Sequence, residues 1–93
     1  MGLLVALALA VAAPAGGYPP RTCGQVTWNL TQYVVRSHGP KCGDALRGVR
    51  SFLERHRAPR GFKCRAFGLD TPAYCKDVHH PKSRYFLAES IPA

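Results

Sequence analysis

The sequence predicts an all-α fold, a small disulfide-stabilised helical bundle, and three observations carry that expectation. Apolar residues recur at three- and four-residue steps in two segments, no stretch alternates apolar and polar residues as a half-buried strand would, and four cysteines stand in a short chain. A chain of 93 residues buries a limited core, so cross-links are expected to carry part of its stability.

The first 15 residues, "MGLLVALALAVAAPA", hold an unbroken apolar run from Leu3 to Ala13 followed by small residues. This reads as a secretory signal peptide over 1–15, shorter than the roughly 18 apolar residues that a membrane anchor needs. Residues 16–93 are then one domain, with a C-terminal tail from about 76. The expected location is secreted and extracellular, an oxidising setting in which the cysteines form two disulfides; spacing alone leaves all three pairings open.

The first expected helix runs from Gln25 to Arg36, with Val26, Leu30, Tyr33 and Val34 on one face and Thr22 as an N-cap candidate. "SHGPK" breaks it at Gly39-Pro40. The second runs from Asp44, its N-cap candidate, to about Arg57, with Ala45, Val49, Phe52 and Leu53 inward and Arg47, Arg50, Glu54 and Arg57 outward. Gly48 inside it costs about 1 kcal/mol relative to Ala. A short third helix is expected over Phe62–Phe67, and beyond Tyr74 only Tyr85-Phe86-Leu87 forms an apolar cluster.

The formal charge is +8. It favours acidic partners such as anionic lipid headgroups, a cell-wall surface or glycan polyanions, whereas secretion argues against nucleic acid. Catalytic patterning is sparse: the five carboxylates are scattered, so no enzyme is expected. His79-His80 reads as a solvated pair, and the cysteines lack C-x-x-C spacing, so no metal and no cofactor are expected. Asn29-Leu30-Thr31 is a glycosylation sequon, but inside a helix it is expected to stay unmodified. Arg57 to Arg60 fits an R-x-x-R processing pattern.

At "TCGQV", "GP-KC", "GVRSF" and "KCR" the chain resembles the type 1 non-specific lipid-transfer proteins of plants, over Thr22 to Pro81. Four of that family's eight cysteines are retained, and Tyr33, Lys41, Phe62 and Glu89 stand where the other four would be. The resemblance implies Cys23–Cys64 and Cys42–Cys75 bonds, and a bundle of the plant lipid-transfer type with its third-to-fourth helix region shortened. It also implies a monomeric, non-enzymatic lipid carrier. Val26, Leu30, Val34, Val49, Phe52, Leu53 and Phe67 would line an apolar cavity, with Arg50, Arg60 and Tyr85 at the headgroup.

Fatty acids or phospholipids would be the cargo, each buried methylene contributing about 0.8 kcal/mol, in extracellular wax or cutin deposition or in defence. The alternatives are a cationic defence peptide acting on anionic membranes and a peptide ligand released after Arg60.

Overall fold

The computed structural model describes residues 19–91, so the expected signal peptide lies outside the described residues. The fold is not all-α. Five strands and one helix follow in the order β1 (Arg21–Trp28), β2 (Thr31–His38), α1 (Cys42–Arg55), β3 (Phe62–Arg65), β4 (Ala73–Asp77) and β5 (Tyr85–Ser90). The strands form one antiparallel sheet in the order β1-β2-β5-β4-β3. The helical bundle implied by the lipid-transfer resemblance is therefore absent among the described residues.

The expected first helix is a β-hairpin. Val26, Tyr33 and Val35 are buried and their neighbours face outward, with Ser37 continuing the alternation along β2. The segment is rich in β-branched and aromatic residues, which favour a pleated surface. Asn29 (φ 53°) and Leu30 (φ 66°) both take left-handed backbone, giving a two-residue turn closed by the Trp28–Thr31 pair. Such turns match the strand twist, but they usually carry Asn-Gly, so Leu30 hides the signal.

A bulge between Thr22 and Gly24 inserts Cys23 into β1 opposite an uninterrupted β2. Gly24 absorbs it at φ 140°, a conformation strained for other residues. Cys23 bonds Cys42, the first residue of α1. Cys64 and Cys75 face each other across β3 and β4 and are also bonded. The pairing implied by the family resemblance is thereby corrected: each bond closes within one half of the chain.

The second expected helix forms, from Cys42 to Arg55. Its N-cap is Lys41 rather than Asp44, which sits in the first turn where a carboxylate complements the helix dipole. His56, at φ 55°, ends it with its N–H donating to the Phe52 carbonyl. Ala45, Gly48, Val49 and Leu53 pack this helix onto one face of the sheet, against Val26, Tyr33, Val35, Ala73, Cys75, Phe86 and Ala88. The expected third helix is β3, and the expected tail supplies β5, the central strand. A short apolar cluster suffices for a central strand because only Phe86 and Ala88 must enter the core.

Gly48 is fixed by a close approach. A Cβ there would lie 2.5 Å from Phe86 Cζ and 2.9 Å from Pro59 Cγ. Gly48→Ala gains about 1 kcal/mol of helix propensity but overpacks a fully buried ring at about 1–3 kcal/mol. Thermal melts are expected to show the variant less stable.

The disulfide pattern has an equally direct check. Limited trypsin cleavage at Arg55, Arg57 or Arg60, followed by denaturation without reductant, should release two pieces, each with one internal bond. A Cys23–Cys64 bond would hold them together.

Candidate functional site

Helix α1 covers one face of the sheet, and the opposite face carries the outward-pointing residues of β2, β5, β4 and β3. Register aligns these in two rows, Arg36–Leu87–Tyr74–Arg65 and His38–Tyr85–Lys76–Lys63. A ladder of rings crosses between them. His38 stacks on Tyr85 at 5.3 Å and 6°, and Tyr85 on Tyr74 at 5.7 Å and 13°. Phe67 meets Tyr74 edge-on at 5.7 Å, and the Arg65 guanidinium lies 5.4 Å from the Phe67 ring centre.

The His38 end of the ladder is pinned. His38 Nδ1 lies 2.7 Å from the Ser83 carbonyl, which can only accept, so Nδ1 carries the proton. Beside it, Arg36 Nε lies 2.7 Å from Glu89 Oε1, an ion pair by proximity whose N–H is not aimed at the oxygen.

Two contiguous depressions open on the β3–β4 side. One, of about 280 Å³, is lined by Lys63, Cys64, Arg65, Phe67, Tyr74 and Lys76. The other, of about 530 Å³, is lined by Phe67, Tyr74, Lys76, Pro81, Lys82 and Tyr85. Four cations and no carboxylate line them. Lys63 and Lys76 stand directly opposite each other across the strands, an arrangement that destabilises a sheet. An anion between them would remove that penalty.

Asp77 shapes the neighbouring loop. Its Oδ1 accepts from the backbone N–H groups of His79 (2.8 Å) and His80 (3.0 Å), and its Oδ2 from Arg84 Nε (3.1 Å). This fixes the connection that carries Pro81 and Lys82 into the larger depression. The His79 N–H, followed by the His80 N–H and Arg84, holds the Asp77 carboxyl below its ordinary pKa. Burial, with Tyr85 alongside, raises the Tyr74 phenol above its ordinary 10.0. Its O–H is a hydrogen-bond donor at neutral pH, as that of an ordinary phenol is.

The residues expected to line a lipid cavity do not converge. Val26, Val49 and Leu53 are consumed in the helix–sheet core, and Leu30 is fully exposed at the hairpin turn. Val34 is half-buried on β2, Arg50 is exposed on α1, and Phe67 and Tyr85 belong to the ring ladder. Phe52 and Leu53 reach an apolar pocket shared with Trp28, His56, Leu69 and Pro72, of about 260 Å³. Arg60 instead borders a groove of about 370 Å³ with Arg47 and Arg84, where Arg47 pairs with Asp44 and Arg84 with Asp77.

Of the depression-lining residues, sequence reasoning had singled out Phe67 and Tyr85 for another role and missed Lys63, Arg65, Tyr74, Lys76 and Lys82. The alternation in "FKCR" and "AYCKD" carried the signal, but each run is too short to stand out.

No known protein family, no curated protein and no solved structure matches the chain. Two disulfides fit an oxidising compartment. Among the described residues no helix is long and apolar enough to cross a membrane.

The contribution of Asp77 has a defined pH signature. A depressed folded-state pKa stabilises above the ordinary value of 3.8 and is lost as pH falls through the lower folded value. Urea midpoints of wild type and Asp77→Asn should therefore differ most above that value and converge in stronger acid.

Proposed function

We propose that this protein is an extracellular, non-catalytic binding module for acidic polysaccharide, held on the open face of the sheet. The observation that carries the reading is the unopposed cationic set Lys63, Arg65, Lys76 and Lys82 around the Tyr74–Tyr85 stack. Sulfate or carboxylate groups of a glycan would take the ammonium and guanidinium donors through charge-assisted hydrogen bonds. The Tyr74 hydroxyl adds a neutral donor for sugar oxygens.

The ring geometry favours a glycan over a single-stranded nucleic acid. Nucleic-acid platforms offer free ring faces on which bases stack. Here Tyr85 is sandwiched between His38 and Tyr74, and Tyr74 takes Phe67 at its other neighbour. The rings are satisfied by one another, which leaves polar groups as the recognition elements.

A released peptide fits the fold poorly. Cleavage after Arg60 would cut the connection between α1 and β3, yet β5 would remain bonded to β2 from Tyr33–Ser90 to His38–Tyr85. The C-terminal half would stay in place.

Dextran sulfate and polygalacturonate are the direct probes, titrated at two salt concentrations. Four cationic contacts, each releasing roughly 0.7 counterion, predict about a fifty-fold loss of affinity between 50 and 200 mM salt. Lys63→Gln combined with Lys76→Gln should weaken binding about tenfold while raising the melting temperature, because the like-charge pair is removed. Unchanged glycan affinity in that variant would refute the site. Equal binding of an oligothymidylate of matched charge, or of phosphatidylglycerol vesicles, would replace the glycan by those partners.

A further inference from the structure

We propose that Asn29 is an N-glycosylation site, occupied when the chain passes through the secretory pathway; this rests on the extracellular reading above. Asn29-Leu30-Thr31 satisfies the acceptor pattern, with a residue other than Pro in the middle. Within a helix the segment would be a poor acceptor, which is how the sequence alone reads. The structure instead places it at the tip of the β1–β2 hairpin, where Asn29, Leu30 and Thr31 are all exposed.

Turn chemistry by itself explains Asn29, since Asn tolerates φ 53° better than most residues. It does not explain Leu30. A leucine at φ 66° is strained where glycine would be easy, and its side chain is 100% exposed. Nearby, Trp28 borders the apolar pocket together with Leu69, which is 82% exposed. A bulky, hydrated glycan at this tip gives an otherwise bare apolar end a solvating cover.

The chemistry is a group transfer from a lipid-pyrophosphate-linked oligosaccharide. Asn29 Nδ2 attacks C1 of the donor sugar, forming a C–N bond as the C1–O bond to pyrophosphate breaks. The lipid pyrophosphate leaves and the amide proton passes to a base of the transferase. Neither step disturbs the fold, because the Asn29 amide is engaged in no side-chain hydrogen bond among the described residues. The apolar pocket beside this tip is lined by Phe52 and Leu53 on the helix-covered side, whereas the cationic depressions open on the other face of the sheet.

Expression of the full chain in a eukaryotic secretory host, with mass measurement of protein recovered from the medium, tests this. Peptide N-glycosidase should lower the mass and leave an aspartate at position 29. Asn29→Gln and Thr31→Ala should abolish the shift while secretion persists, and Thr31→Ser should retain it. Secreted protein of unmodified mass would overturn the proposal while leaving glycan binding at the open face intact. Retention inside the cell with residues 1–15 uncleaved would overturn it through its premise, and polyanion titration of the same material would still report on the open face separately.

Discussion

The structure depends on one constraint: a five-stranded sheet has two faces, and the described residues supply a single helix with which to cover them. Phe86, on the central strand, is the focus of the covered face, and Gly48 lets α1 approach it with no side chain between. Burying one aromatic ring of this size contributes about 1.5–3 kcal/mol. The fully buried apolar side chains, Val35, Val49, Cys75 and Phe86 among them, are gathered on that side. What is left for the opposite face is a set of half-exposed rings and cations, which is why a binding surface and a core can share the same five strands.

The disulfides serve the same division. The bulge at Cys23 ties β1 to the start of α1, fixing the helix over the hairpin. The Cys64–Cys75 bond joins the short edge strand β3 to its neighbour β4, and these two strands carry Lys63, Arg65 and Lys76. Four-residue β3 would be a weak edge by itself. Crosslinking it holds Lys63 and Arg65 in place despite the repulsion across Lys63 and Lys76. The loop from β4 to β5, pinned by Asp77, then brings Lys82 against the same surface.

Helix α1 was legible in the sequence because its apolar residues fit only one period and its length exceeds what a strand would take. The β1–β2 hairpin was not. Val26, Leu30, Tyr33 and Val34 fit a helical period while Tyr33, Val35 and Ser37 alternate as a strand does, and the turn that would have decided between them carries Leu30 where glycine is usual. The β-branched and aromatic content was the signal available to arbitrate. Lys63, Tyr74, Lys76 and Lys82 lie in runs too short for any periodicity, and only the pairing of β3, β4 and β5 makes them neighbours. The lipid-transfer resemblance misled for a related reason: short matches around cysteines report local spacing, which a hairpin and a helix can satisfy alike.

By itself the sequence determined the charge, the presence of two disulfides' worth of cysteine, an amphipathic helix expected from Asp44 to about Arg57 and found at Cys42–Arg55, and the acceptor pattern at Asn29. These are local or compositional properties, set by side-chain chemistry and by one helical period. Tertiary structure decided the fold class, which cysteines meet, which strand lies at the centre, and which cations share a surface. Each of those is a matter of long-range pairing: β5 enters the middle of the sheet because Phe86 and Ala88 find the helix there. No neighbour in the chain could have told it so.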